Sequence, residues 1–576
     1  MQGSPKPLSG KTVYVARGLT ALTVLASVLG LLSIPTGVYD DSLMIVGARL
    51  VAAGKLPYLD FYTHYGPLGY TLIEGLARVT GSPILAMRIL QAALLLLVAL
   101  LLHVAVRSSS ASPHRSEAAM PLAVLALSGS AAFSAFLGFA FAATSLLMYV
   151  IARSSPSSSA RGLFAIGSGV ALAIAALTRP AFAGYVGGAV MLTEAVLVRR
   201  ARLDRAWTRF GLLLIAVIAG GGLLWYILYR RIPLSVALEA TLVVPMRLTG
   251  NGSRYLDPYF LRGSPVIAVL SGAAIGAVTL TWAFLAPFRP TRIVAMCSSL
   301  AIGLFPVLYR LTFPEKPLSS FGLVFFALCI LSFLAARRIL QESPDLAMAA
   351  MTGLASAAFA HYLWIRFDGP HLLPSFGLAA CSAALLWMRM RLRARVGVLA
   401  LFVLVYQVAA RSWGEPLLPL ARLRGDAFPV AEEGRLRWPY EDVPSDPAKA
   451  VALADSKADP RSRFVAVASS HAVSQGSPVM LFALSSRLPY TRWFQYDPGL
   501  QTSPAVQKQM KCEILDSGSR TAVVWRADRF LFDRRRAPLA RSELDAFFDR
   551  LYPRVIGRFG DFEVREREGP DREAPR

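Results

Sequence analysis

From Val13 to Ala410 the sequence passes through one apolar run after another, each of about 17–25 residues, broken by short polar clusters. A chain patterned in this way must be solvated by lipid over most of its length. Charged residues make up 17% of it, against roughly 25% in a soluble domain, which excludes a large soluble enzyme. Lys and Arg together number 60 against 36 Asp and Glu, a formal charge of +24. These basic residues sit in short clusters between the apolar runs instead of forming one face, so the excess reflects membrane topology and not a nucleic-acid partner.

Breaking the runs at Pro, Gly and charge gives roughly thirteen spans, at 14–35, 84–106, 118–135, 138–152, 163–178, 181–198, 210–229, 265–286, 293–309, 319–336, 346–365, 372–388 and 396–410. The clusters Arg107 with Arg115, Arg153 with Arg161, Arg199 to Arg209, Arg289 with Arg292, Arg337 with Arg338, and Arg389 to Arg395 then share one side, which is cytoplasmic. Arg230 and Arg231 fall on the other. Lys6, Lys11 and Arg17 precede the first run without a cleavage pattern after it, which reads as an uncleaved signal anchor with the N-terminus inside. Cys297, Cys329 and Cys381 lie within apolar runs, so no disulfide framework is available.

The expected fold class is an all-α polytopic membrane protein, residues 1–410, followed by a small extracytoplasmic α/β domain, residues 411–576. In that tail the runs FVAVAS (464–469), VMLFAL (479–484) and TAVVW (521–525) alternate with helix-like stretches. Three polar regions face outward: 36–83, 230–264 and the tail. The first is too long for a connector and concentrates VYDD (38–41) and PYLDFYTHYGPLGY (57–70). Asp41 to Ala53 and Pro67 to Thr80 read as two amphipathic helices lying in the interface.

Asp40 and Asp41 are the candidate catalytic residues, since a partly desolvated carboxylate at the membrane surface suits a general base. A helix N-cap would account for one of them, not for both. Asp60, His64 and Tyr65 are candidates for a substrate pocket, with a turn residue and an interfacial aromatic belt as the alternatives. A second constellation, RFDGPHLLP (366–374), places Arg366, Asp368 and His371 at an outward span end, where they could grip a lipid phosphate. Arg179, between two close spans, could compensate phosphate charge. A His-Asp pair can ligate a metal, but no third ligand lies near, so no metal or other cofactor is assigned. Walker, GxSxG and HExxH patterns are absent from the sequence.

The Asp-bearing loop followed by PYLDFYTHYGPLGY resembles the polytopic GT-C glycosyltransferases, the class of the protein O-mannosyltransferases and aminoarabinose transferases. The resemblance covers about 1–410 and is strongest over 39–70, with Asp40-Asp41 where familiar members often show Asp-Glu. The stretches RFDGPHLLP and 481–510 are similar to segments of bacterial members. The resemblance implies a multi-pass protein of the bacterial inner membrane. Its donor would be a polyprenyl-phosphate sugar and its acceptor an extracytoplasmic glycan, lipid or protein, with Asp40 or Asp41 activating that acceptor. A transporter or flippase of a lipid-linked sugar is the main alternative, and a non-catalytic assembly protein a third.

Overall fold

A computed structural model of the chain describes residues 10–32, 40–109, 124, 133–198, 203–244, 347–365, 369–386, 431–432, 435–436, 445–468, 471, 478–495, 500, 503–526 and 541–568. It divides into two compact units, of which the first takes in Met1–Ile34, Arg88–Arg230 and Phe260–Gly425. Its helices are α1 (Gly10–Leu32), α4 (Pro83–Ser109, from Arg88 onward), α5 (Phe133–Ser154), α6 (Ser158–Thr178), α7 (Pro180–Val198), α8 (Leu203–Tyr229), α10 (Ala347–Ile365) and α11 (Gly369–Leu386). Among the described residues four segments are long and apolar enough to cross a bilayer: Pro83–Ser108, Phe136–Ser154, Ser158–Thr178 and Thr208–Tyr229. They coincide with four expected spans. Expected spans at 265–286, 293–309, 319–336 and 396–410, and most of 118–135, lie outside the described residues.

Helix α6 packs against α5 and α8, and α10 against α11 and α7. Small polar groups close these apolar contacts: Ser168 Oγ donates to the Ser145 carbonyl at 2.7 Å. Glu194 of α7, almost fully buried, accepts from Arg153 of α5 at 2.7 Å and faces Arg209 of α8 at 3.7 Å. Arg153 and Arg209, from two different basic clusters of the sequence, thus meet on one carboxylate.

The second unit takes in Pro35–Met87, Arg231–Tyr259 and Asp426–Arg576, so the first outer loop and the tail pack as one body. The loop supplies α2 (Asp40–Ala52) and α3 (Leu68–Thr80), each within one residue of its expected bounds, and residues 234–238 form a short α9. The tail supplies the two-residue strands β1 (Ala431–Glu432) and β2 (Arg435–Leu436), then α12 (Ser445–Ser456), β3 (Val465–Ala468), α13 (Val479–Leu484), α14 (Pro504–Leu515), β4 (Thr521–Trp525), α15 (Glu543–Leu551), β5 (Arg554–Phe559) and β6 (Phe562–Glu566). Strands β3 and β4 are parallel, β6 runs antiparallel to β4, and β5 closes the edge, in the order β3-β4-β6-β5. Every residue of β3 is buried, as a strand covered on both faces requires. The β5–β6 hairpin turns at Gly560, whose φ of 53° only glycine adopts without strain.

The structure departs from the sequence expectation at VMLFAL, which forms helix α13. It contains one β-branched residue, follows Pro478, and otherwise consists of good helix formers, whereas VAVA and TAVVW are rich in valine. Helix α2 also differs from an interfacial helix, since Asp41 through Ala48 are all buried; α3 and α13 pack on it. Only α3 keeps an exposed side, with Val79 83% accessible.

A buried pair anchors the tail. His471 Nδ1 lies 2.6 Å from Asp545 Oδ1, and Asp545 also closes a capping box with Ser542 at the start of α15. Burial alone would raise the Asp545 carboxyl, but the His471 ring and the Ser542 and His471 N–H groups outweigh it and hold the carboxyl below its usual value. The stability this pairing contributes is therefore complete above about pH 4 and is lost as pH falls through the depressed value. Asp545→Asn should destabilise the tail at neutral pH by about 3 kcal/mol and flatten its acid-side dependence, read by near-UV circular dichroism of the full protein. An unchanged acid titration would remove this carboxylate as the cause.

Candidate active site

Helix α2 opens on Asp40-Asp41, where acidic side chains interact well with the free N–H groups of its first turn. The two carboxylates differ in surroundings. Asp41 is 2% accessible, whereas Asp40 is half-buried, and its Oδ1 accepts from the Tyr65 hydroxyl at 3.0 Å. Asp40 is thus the more accessible of the two carboxylates, and the Tyr65 hydroxyl is bonded to it.

The loop that carries Tyr65 is braced residue by residue. Tyr58 Oη donates to the Tyr65 carbonyl at 2.8 Å, and the Tyr65 N–H donates to Thr63 Oγ1 at 3.1 Å. Thr63 Oγ1 also shares a 2.6 Å hydrogen bond with Tyr70 Oη at the start of α3. Tyr58 itself has φ of 68°, a left-handed conformation that costs a non-glycine residue about 1–3 kcal/mol and persists only where its surroundings enforce it. The Tyr58 N–H donates to the Phe61 carbonyl at 2.8 Å, and Arg492 Nη2 donates to the Tyr58 carbonyl at 2.9 Å.

The tail makes further contacts with this loop. Tyr62 N–H donates to the Arg492 carbonyl at 2.9 Å, the Tyr62 and Trp493 rings lie 5.5 Å apart, and Gln495 Nε2 hydrogen-bonds with His64 Nδ1. The His64 and Tyr65 rings lie with centroids 4.2 Å apart at a tilt of 38°, so His64, Tyr65 and Asp40 are contiguous. Asp60, in contrast, is exposed and its Oδ2 accepts from the Leu56 N–H at 2.7 Å, closing the turn before Phe61.

The structure brings Asp40, Asp41, Asp60, His64 and Tyr65 into the second unit. Arg179 belongs to the first, at the end of α6, with its guanidinium 5.2 Å from the Phe182 ring centroid. Arg366 and Asp368 lie outside the described residues, and His371 is placed only as a backbone position in the first turns of α11. Among the described residues no group of three His, Cys, Asp or Glu is placed to hold a metal ion. Sequence reasoning missed Arg49, Arg492 and Gln495, whose partners are more than 430 positions away in the chain. The only signal was the isolated arginine in the otherwise apolar LMIVGARL. It also missed Arg88, fully buried in α4 with its Nη1 2.7 Å from Gln91 Oε1, although a charge inside a span is itself a signal of function.

A helical membrane chain bearing such an acidic loop and a small α/β tail has the fold of the GT-C glycosyltransferases. The likeness is to the structure of ArnT, an aminoarabinose transferase, from Cupriavidus metallidurans bound to undecaprenyl phosphate, with a TM-score of 0.54 and 14% identity over 97% of this chain and 98% of that one. The oligosaccharyltransferase of Archaeoglobus fulgidus in the apo form scores 0.47, at 13% identity over 88% of this chain and 69% of that one. AglB from the same organism, in complex with an inhibitory peptide and a dolichol-phosphate, scores 0.42, at 12% identity over 90% and 70%. Neither lower score adds to the fold assignment. No family model matches the sequence, and no curated protein matches it.

Proposed function

We propose that the protein is a membrane glycosyltransferase that moves a sugar from a polyprenyl-phosphate donor to an extracytoplasmic glycan, lipid or protein, with Asp40 as general base. The observation that carries this reading is the half-buried Asp40 carboxylate held by Tyr65 at the start of α2, while Asp41 beside it is enclosed. The ArnT structure, whose fold this chain shares, holds undecaprenyl phosphate. In the proposed step Asp40 takes the acceptor hydroxyl proton, the acceptor oxygen forms a bond to the anomeric carbon, and the bond from that carbon to the phosphate oxygen breaks. The electron pair leaves with the phosphate, and because the acceptor oxygen enters once, opposite the leaving group, the anomeric configuration inverts. A phosphate leaves without protonation if cations receive it, unlike the alkoxide of a glycosidase, and one carboxylate therefore suffices. Arg366 and His371, with Asp368 orienting one of them, are the proposed receiving groups, and Arg179 is a further candidate. His64 and Tyr65 wall the acceptor side, and Asp41 steadies the first turn of α2. The first 410 residues are the proposed transferase domain and residues 411–576 the outward-facing domain that supports it.

The reading requires the loop and tail to lie outside the cytoplasm of an inner-membrane protein. Reporter fusions after Ser108, Ser157, Arg205 and Arg393 should read cytoplasmic and a fusion after Arg411 external; a cytoplasmic tail would sink the lipid-donor reading. The deciding assay uses purified full-length protein, a radiolabelled pool of undecaprenyl-phosphate sugars, and membrane extract as acceptor. A flippase would move labelled lipid across a vesicle wall and form no sugar-to-acceptor bond in detergent.

A further inference from the structure

Arg49 sits nine positions along α2 from Asp40, which places it about 13 Å further down the same helix. Its guanidinium is directed at four main-chain carbonyls of the tail. Nη1 donates to Phe482 O at 3.1 Å, Ala483 O at 3.4 Å and Ser485 O at 2.7 Å, and Nη2 to Arg487 O at 3.3 Å. Phe482 and Ala483 lie in the last turn of α13, whose carbonyls a helix leaves unpaired and which carry its partial negative charge, and Ser485 and Arg487 follow just beyond it. A planar fork of five donors can serve several such acceptors at once, and an ammonium cannot match that geometry.

The receiving stretch is itself held fast. Asp455 of α12 accepts from Arg487 Nε at 2.9 Å and from Ser485 Oγ at 3.1 Å, and Arg487 Nη1 donates to Ser462 Oγ at 2.9 Å. The same tail segment then reaches the other side of the acidic site through Arg492 to the Tyr58 carbonyl and Gln495 to His64. One continuous piece of the tail thus grips both the helix that carries Asp40 and the loop that carries Tyr65.

We propose that the tail segment 482–495 positions the candidate base, and that Arg49 is the positioning residue through which it fixes α2. The inference rests on the reading of Asp40 as general base for its consequence in rate, and on the contacts alone for its consequence in order. Misplacement of a reacting group by about 1 Å can slow a reaction on the order of 10²-fold, so a remote clamp of this kind controls rate without touching substrate.

The test uses full-length protein in detergent, with R49Q and R49K followed by amide hydrogen exchange and by transfer from the undecaprenyl-phosphate sugar pool. R49Q should raise exchange over residues 40–70 at least tenfold while amides of the central sheet strands keep their protection. Its transfer rate should fall about 10²-fold with the donor KM changed less than threefold, and R49K should recover only a minor part. Unchanged exchange over 40–70 in R49Q would overturn the proposal, as would a wild-type transfer rate in folded R49Q. Equal loss of protection in the sheet would mean that Arg49 merely stabilises the tail, which also overturns it. If R49Q does not fold, D455N, which releases the receiving stretch from behind, is read in the same two ways. A wild-type protein that transfers no sugar would defeat the glycosyltransferase reading, and the exchange measurement would still decide whether the tail orders the acidic loop.

Discussion

Asp40→Asn is expected to reduce sugar transfer by about 10²–10⁴-fold while the protein folds and binds donor as before. The amide keeps the shape of the side chain and can still accept from Tyr65, so the first turn of α2 loses little. What it cannot do is take a proton. Loss of a helix cap would cost about 1 kcal/mol of stability and would not slow a chemical step. Asp41→Asn gives the contrast: a 2% accessible carboxylate does not meet an acceptor, so its replacement should appear in thermal stability before it appears in rate. Tyr65→Phe removes the hydroxyl that orients Asp40 and should slow transfer roughly tenfold, in line with a hydrogen bond to a charged group. Transfer rates and melting temperatures of the three variants, measured on the same preparations, separate these roles. Near-normal transfer in Asp40→Asn would remove it as the base.

The fold and the site were legible to different depths. Spans such as 163–178 could be read closely because one helix of apolar residues carries its own signal, and α2 and α3 because Asp40-Asp41 and Pro67 mark their starts. The β5–β6 hairpin was not read from the sequence, because RVIGRF is charged and partly exposed and alternates only weakly. The brace on the acidic loop could not be read at all. Arg49 pairs with main-chain carbonyls, which every residue possesses, and so no complementary side chain in the tail announces the partner. The same holds for Arg492 and the Tyr58 carbonyl. Asp60 shows the converse case, a carboxylate whose partner, the Leu56 N–H, lies only four positions away in the chain.

The second large effect is expected at Gly47, in the middle of α2. Replacing a helical glycine by alanine ordinarily stabilises by about 1 kcal/mol, so helix propensity alone favours Gly47→Ala. Packing decides otherwise. A Cβ at this position would lie 2.3 Å from Tyr70 Cε1 and 2.4 Å from Cδ1, well inside contact distance. Tyr70 has nowhere to go: it is fully buried, its hydroxyl is bonded to Thr63 at 2.6 Å, and its ring meets Phe61 edge-on with centroids 5.8 Å apart. Overpacking of such a site costs about 1–3 kcal/mol, which exceeds the propensity gain. The consequence for rate should be larger than that for stability, because Thr63 Oγ1 also receives the Tyr65 N–H, and any shift of Tyr70 is passed through Thr63 to the residue that orients Asp40. Gly47→Ala should therefore lower the melting temperature modestly and slow transfer by about 10- to 100-fold. A double-mutant cycle supplies the check. Tyr70→Ala should cost less in the Gly47→Ala background than alone, because it removes the atoms the new methyl strikes, and strictly additive effects on stability would show that the two residues do not meet as described.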